Sequence, residues 1–314
     1  GENGNEIVTL ANDLDDTYKA RYIRFSFVVD NGQWNVTLPP MKAGGPYLMQ
    51  INDIKLNDIL IGDVWLCSGQ SNMELPVSRV TDMFATEINE YSNERIRQII
   101  IPKVYNFHAP QETLSATSWK PMTQENVMNF SALAYFFAKE MYEKTKVPVG
   151  IINSSWGGTP IEAWISEEGL KEFPIYINDK RLYEDDAYCA HIKKLEGESF
   201  YRWNLSLYRS DAGLHENTPW YASNYDDSNW QTVNMFSRTW GNDGLNPIAG
   251  SHWLRQNVEI PQTWNNKEVT LRLGCIIDAD SVYVNGTFAG TTGYQYPPRI
   301  YRIPAGILKP GVNN

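Results

Sequence analysis

At 314 residues, 42% of them hydrophobic, the chain is long enough to bury a substantial core and to hold two or three domains. Its 27 Lys and Arg stand against 37 Asp and Glu, a net charge of −10 with no basic run, which makes nucleic acid and anionic membrane surfaces poor partners. No stretch approaches the roughly 20 apolar residues of a membrane span. Cys67, Cys189 and Cys275 show neither CxxC spacing nor a histidine grouping, so no disulfide framework, zinc site or other cofactor is expected.

Residues 1–60 read as a small β domain. Tyr22–Val29 (YIRFSFVV), Gln33–Leu38 (QWNVTL) and Tyr47–Ile51 (YLMQI) have strand character, and Asp30-Asn31-Gly32 signals a hairpin. Gly44-Gly45-Pro46 supplies turn chemistry before the third of these strands.

From Ile61 the pattern changes to strands alternating with helices, as in a βαβ sheet. Ile61, Val64, Trp65, Leu66 and Cys67 read as a strand buried on both faces. Ser68-Gly69-Gln70-Ser71 breaks that run, and Asn72-Met73-Glu74-Leu75 reads as the opening of a helix whose positive end points back at the turn. A serine there is exposed beyond the carboxyl end of the sheet and suits a nucleophile, with Ser71 the candidate. The plain alternative is a polar cap after a core strand.

Ile96–Ile101 is a second core strand, and Ser131–Lys146 a helix with Leu133, Phe136, Phe137, Met141 and Tyr142 available for burial. Val147–Asn153 is a third strand, parallel to the other two. It ends in Ser154-Ser155-Trp156-Gly157-Gly158-Thr159-Pro160, a glycine turn expected at the same sheet edge as Ser71. Residues 167–200 are charged and helical, a connector. After Tyr201 the chain becomes Trp-rich and β-like: Asn224–Trp230, His252–Pro261, Val269–Gly290 and Tyr301–Pro310 are the segments, and Asn285-Gly286 is a type I′ hairpin turn. A jelly roll of this pattern should continue into one more strand after the Lys309-Pro310-Gly311 turn, but none is read in the residues that follow.

Three ordered blocks, LPPMKAGGPY (Leu38–Tyr47), DVWLCSGQSNMELPV from Asp63, and VGIINSSWGGTPIEAWIS (Val149–Ser166), together resemble the sialate O-acetylesterase family of SGNH-type hydrolases. The resemblance implies a multi-domain α/β plus β protein. Its parts are an N-terminal β-sandwich (1–60), an SGNH-type hydrolase domain (61–200), and an inserted galactose-binding-like jelly roll (201–314) of the kind found in beta-galactosidase-type glycosidases. It implies Ser71 as nucleophile of a carbohydrate O-acetylesterase acting through an acyl-enzyme on 9-O-acetyl sialic acid. Backbone N–H groups of Ser71 and of Gly157 or Gly158 would form the oxyanion site, with Gln70 and Asn72 as flanking polar groups. Acetylxylan or another acetylated glycan is the rival substrate, and a non-catalytic carbohydrate-binding fragment the rival class.

A serine hydroxyl needs a base, usually a histidine oriented by an acid. The chain has only His108, His191, His215 and His252, and the family's QGE and DxxH blocks are absent. The catalytic His and Asp are therefore expected beyond Asn314 or on a separate chain, with the present residues an incomplete hydrolase. The resemblance further implies an extracytoplasmic location, weakly echoed by sequons at Asn35, Asn129, Asn153, Asn204 and Asn285.

Overall fold

The computed structural model describes residues 9–12, 20–29, 32–38, 41–51, 54–111, 114, 117–234 and 249–314. The chain divides into two compact units, Gly1–Asp185 and Asp186–Asn314.

The first unit opens with an antiparallel sheet of β1 (Thr9–Asn12), β2 (Ala20–Val29) and β3 (Gly32–Leu38). The expected hairpin is present, with Val29 opposite Gly32; its turn residues Asp30 and Asn31 lie outside the described residues. An antiparallel pair follows, β4 (Gly44–Ile51) with β5 (Ile54–Ile61). Gly62 then carries the chain into β6 (Asp63–Gly69), and only glycine fits there. A Cβ would lie 1.9 Å from the Pro148 carbonyl oxygen, which instead accepts the Asp63 N–H at 2.9 Å.

Beyond β6 come α1 (Ser71–Glu74), α2 (Thr81–Glu90), β7 (Asn93–Ile100), β8 (Lys120–Met122), α3 (Ala132–Thr145), β9 (Val149–Ser155) and α4 (Pro174–Tyr183). The sheet order is β6-β9-β7-β8, with β6, β9 and β7 mutually parallel and β8 antiparallel to β7. The three predicted core strands are thus neighbours in one parallel set.

Their burial differs from the expectation of two covered faces. Val149, Ile151, Ile96 and Cys67 join the core beneath α3, whereas Leu66, on the opposite face, is 67% exposed. β6 is also the terminal strand of this four-stranded sheet, so Val64 and Trp65 are exposed as well. Cys67 is the small buried residue its run suggested, and burial pushes its thiol up. None of the three cysteines is bonded to another.

The face α3 turns to the sheet is also not the one its large residues suggested. Ala132, Ala134, Tyr135 and Ala138 are buried, Phe136, Met141 and Tyr142 pack around them, and Leu133 is 54% exposed. Small side chains let the helix backbone come close to the strands, so the alanine stripe wins the interior. Ser131 caps the helix, its Oγ accepting the Ala134 N–H at 3.2 Å, and Lys146 ends it in the left-handed conformation at φ 57°.

The second unit begins with α5 (Asp186–Ser210), which runs through the predicted change of character at Tyr201, and α6 (Ala212–His215). Residues 201–210 hold neither glycine nor proline, so nothing breaks the helix there. Asn224–Trp230, read as β-like, consists of turns among the described residues. Its Trp230 packs on Trp220 with ring centroids 5.2 Å apart, and Tyr221 stacks on Tyr283 at 4.3 Å.

Six strands follow: β10 (Val258–Ile260), β11 (Val269–Gly274), β12 (Asp280–Val284), β13 (Thr287–Thr292), β14 (Arg299–Ile303) and β15 (Gly311–Asn313). They form three antiparallel pairs, β10 with β15, β11 with β14, and β12 with β13. Asn285 and Gly286 turn β12 into β13 with φ of 49° and 79°, the signs a type I′ turn requires. A strand does follow Lys309-Pro310, contrary to expectation: β15 pairs with β10, and the Asn313 side chain stitches the turn to Lys309 and Gly311.

At the centre of this unit Arg299 is fully buried. Its Nε donates to Asp280 Oδ1 at 2.5 Å, and its terminal nitrogens donate to the carbonyls of Pro297 at 2.6 Å and Ile276 at 2.5 Å. Tyr301 Oη donates to the second Asp280 oxygen at 2.6 Å. Replacing Arg299 with Leu strands the Asp280 charge in an 8% exposed site. The expected loss is about 3–5 kcal/mol from the second unit, read as the shift of its urea transition in the full chain.

Tyr135 makes the opposite case. Its hydroxyl is buried with no hydrogen-bond partner among the described residues, and burial, reinforced by the charges of Glu87 and Tyr91, pushes the phenol up to about 12. Tyr135→Phe removes an unsatisfied polar atom while keeping the ring that packs on Tyr91 and Phe136. Its stability is expected to equal or exceed that of the parent by up to about 1 kcal/mol in the same measurement.

Candidate active site

The parallel register of β6 and β9 brings their carboxyl ends level, with Gly69 opposite Ser155. The chain leaves β6 at Gly69 with φ of 145°, and Ser71 starts α1 as an exposed residue. The helix expected here is a single turn, closed by the N–H groups of Glu74 and Leu75 donating to the carbonyls of Gln70 and Ser71, each at 2.9 Å. Pro76 ends it, since proline disfavours the helical conformation of the residue before it. One turn carries little macrodipole, so whatever favours an anion at Ser71 comes from individual N–H groups. The turn is nonetheless rigidly placed. Val77 N–H donates to the Phe130 carbonyl at 2.8 Å, Ala132 N–H to that of Leu75 at 2.7 Å, and Met73 packs against the core.

The glycine turn after β9 is laced to this serine turn. Trp156 N–H donates to the Gly69 carbonyl at 2.9 Å, and Gln70 Nε2 to the Thr159 carbonyl at 2.8 Å. Thr159 Oγ1 closes its own turn on the Trp156 carbonyl at 2.7 Å and accepts Trp164 Nε1–H at 2.8 Å. A Cβ built on Gly157 would lie 3.5 Å from both Cα and Cβ of Ser71, so the two predicted turns do form one crevice. Gln70 serves as a strut between the turns. Asn72 is exposed beside Ser71, and Gly158, at φ 84°, has open space where a side chain would be.

One part of the expected oxyanion site is corrected. Gly157 N–H donates to the carboxylate of Glu74, and a backbone N–H so engaged is not pointing at a ligand. The same carboxylate forms an ion pair with Lys103, from the loop after β7. Burial pushes the Glu74 carboxyl up, but the hydrogen bonds from Lys103 and Gly157, with the charge of Lys103, outweigh it and hold the group below the usual carboxylate range.

The Lys103 ammonium also lies 5.5 Å over the Trp156 ring. From there an aromatic wall extends: Tyr105 packs on Trp156 with centroids 4.8 Å apart, Phe107 on Tyr105 at 6.5 Å, and Tyr183 of α4 on Phe107 at 5.2 Å. Neither Glu74 nor Lys103 stood out in the sequence as a site residue. Glu74 lay within the motif as an ordinary helical acid, and no local pattern marks a lysine on another loop.

His108 is the one histidine of the first unit. Its backbone N–H is taken by Asn106 Oδ1 at 2.9 Å. Its ring acts on Glu184, a carboxylate held low mainly by the Lys180 hydrogen bond and more weakly by the charges of Lys180 and His108. Among the described residues of this unit no imidazole is hydrogen-bonded to Ser71. In the second unit His215 Nε2 meets the Tyr208 carbonyl at 2.7 Å. No cluster among the described residues is suited to a metal ion. Asn153, a sequon residue, is buried, its Oδ1 accepting from Ser155 Oγ at 2.6 Å.

Because the Glu74 carboxyl is held low in the folded chain, its contribution to stability is present above about pH 4.3, the range of a free Glu, and is lost as the pH falls through the depressed value. The melting temperature of the parent is therefore expected to exceed that of Glu74→Gln at pH 7, with the gap closing on titration to about pH 3. A gap that widens on acidification would contradict the Lys103–Glu74–Gly157 arrangement.

Comparison with known proteins bears directly on this crevice. The profile of a carbohydrate esterase family, described as sialic acid-specific acetylesterase, matches residues 61–196. The human sialate O-acetylesterase is 36% identical over 152 residues, 44% of this chain and 29% of that protein. The mouse sialate O-acetylesterase is 34% identical over 153 residues, 44% of this chain and 28% of that protein. The chain thus spans under a third of the length of these curated relatives. A crystal structure of a carbohydrate acetylesterase from Xanthomonas citri is 34% identical, covering 53% of this chain and 44% of that one, with a TM-score of 0.45. Residues 61–196, which hold both turns of the crevice, are thus similar to the sialic acid-specific acetylesterase family of carbohydrate esterases.

Proposed function

We propose that the chain carries the nucleophile of a serine carbohydrate O-acetylesterase, with Ser71 as the attacking residue and acetylated sialic acid, of the 9-O-acetyl type, as substrate. The observation that carries this reading is the packing of the two turns: an exposed serine at the carboxyl edge of a parallel sheet, with a glycine turn so close that a Cβ built on Gly157 would lie 3.5 Å from the serine Cα and Cβ. The similarity of residues 61–196 to a carbohydrate esterase family supports the ester-hydrolase class.

In this reading Ser71 Oγ attacks the acetyl carbonyl and gives its proton to a base. The tetrahedral oxyanion is stabilised by the N–H groups of Ser71 and Gly158. Collapse expels the sugar hydroxyl, reprotonated by that base, and water then releases acetate from the acyl-enzyme. Glu74 is poorly suited to be the base, being ion-paired with Lys103 and held low. His108 contributes only a charge effect on Glu184, and no hydrogen bond joins it to Ser71 among the described residues. The wall of Tyr105, Phe107, Trp156 and Tyr183 favours a ring-shaped, sugar-like substrate. We further read the β pairs of residues 258–313 as part of a galactose-binding-like jelly roll, and the protein as extracytoplasmic.

Hydrolysis of an aryl acetate is expected from the full chain. In triad hydrolases the oxyanion site and binding alone supply about 10³–10⁴-fold over water, and turnover that depends on Ser71 comes on top of that. Ser71→Ala is expected to lower turnover at least about tenfold below the parent, to no more than what oxyanion binding alone supplies, with the melting temperature unchanged. Equal turnover by the parent and Ser71→Ala would remove the serine from the mechanism and leave a carbohydrate-binding protein. A preference for 9-O-acetyl sialic acid over acetylated xylan, read as released acetate, decides the substrate.

A further inference from the structure

Glu74 has no role in the acyl-transfer chemistry, yet its carboxylate joins three loops at one sheet edge. It ends the serine turn, accepts the N–H of Gly157 from the turn after β9, and pairs with Lys103 from the loop after β7. The fit is close: a Cβ on Gly157 would meet Glu74 Oε2 at 2.8 Å as well as Ser71 at 3.5 Å. Lys103 is itself steadied by the Trp156 ring, 5.5 Å from its ammonium.

Electrostatics argues that the pair is built as a unit. A lone carboxylate packed beside the nucleophile would repel the negative charge that develops on the acyl oxygen, and the ammonium cancels that repulsion while leaving the carboxylate free to accept the glycine N–H.

We propose that Glu74 is a positioning residue of the Ser71 site: its carboxylate, neutralised by Lys103, fixes the Gly157 turn against the nucleophile and spends the Gly157 N–H on structure. This rests on the esterase reading and adds to it the group that holds the oxyanion turn in place. A shift of that turn by about 1 Å is enough to cost on the order of 10²-fold in rate.

The test compares the full-length parent with Glu74→Ala and Glu74→Gln, by steady-state hydrolysis of p-nitrophenyl acetate and by amide hydrogen exchange at Gly157 and Ile151. Glu74→Ala is expected to lower kcat by about tenfold or more with KM held within about twofold. It is also expected to speed exchange at Gly157 but not at Ile151 in the buried strand. Glu74→Gln keeps an oxygen that accepts the glycine N–H and is expected to recover most of the lost kcat. Unchanged kcat in Glu74→Ala, equal losses in the Ala and Gln variants, or exchange rising at Ile151 together with Gly157 would each overturn the positioning role. If the parent does not exceed Ser71→Ala in turnover, the esterase reading fails on its own, and Gly157 exchange decides the tie: faster in Glu74→Ala upholds it, unchanged overturns it.

Discussion

The parallel pairing of β6 with β9 is the constraint on which the crevice depends. Seven consecutive partners run from Asp63 opposite Val149 to Gly69 opposite Ser155, and each strand ends where the other does. Because both strands run the same way, both loops that follow leave from the same edge. The Trp156 N–H to Gly69 carbonyl bond continues the pairing one step past the ladder, so the turns begin already joined. The pairing is held at its other end by the Gly62 approach to Pro148, where a side chain of any size would force the strands apart at their first residue.

What stiffens the serine turn lies beneath it and beside it. Beneath, α3 sits close to the strands on its alanine stripe, and its capped N-terminus receives Leu75 and Val77 through the Ala132 and Phe130 backbone bonds. The bonds are short-range and directional, so they fix the angle at which a one-turn helix leaves the sheet. Beside it, Gln70 and Glu74 each reach across to the glycine turn, from opposite ends of that helix turn. Two struts resist rotation where a single one would act as a hinge.

The sequence made legible what depends on local pattern. Apolar runs bounded by turn residues located the strands, Ser131 and the 3.6-residue period located α3, and Asn285-Gly286 located a hairpin that has the backbone signs its chemistry demands. The sequence did not show which faces would be covered, because that is decided by neighbours. Leu133 and Leu66 are as apolar as any core residue, yet they lie off the alanine face and on the open side of the sheet. The continuation of α5 past Tyr201 was hidden by tryptophan and tyrosine, which suit strands but do not forbid a helix. At the site, Ser71, Gln70 and the Gly157 turn were readable because they fall within contiguous blocks. The Lys103–Glu74 pair was not, because its partners come from separate loops that only the sheet brings together.

That pair changes how the polarity of the site is understood. An acidic residue inside a motif next to a candidate nucleophile invites the role of orienting acid, but the carboxylate here is occupied on both sides, by a cation and by a backbone donor. With Gly157 committed, the oxyanion of the proposed reaction is left to the N–H groups proposed for it, Ser71 and Gly158, and to the residual field of a neutral Lys103–Glu74 pair. A net-neutral pair contributes a dipole whose effect falls off faster than that of a bare charge, so its influence on an acyl oxygen depends on orientation more than on distance. Orientation is what the Trp156 ring supplies by holding the ammonium from above. The aromatic wall and the ion pair are therefore parts of one structure, in which Trp156 serves the glycine turn through its backbone, Lys103 through its ring face, and Tyr105 through a tilted ring contact.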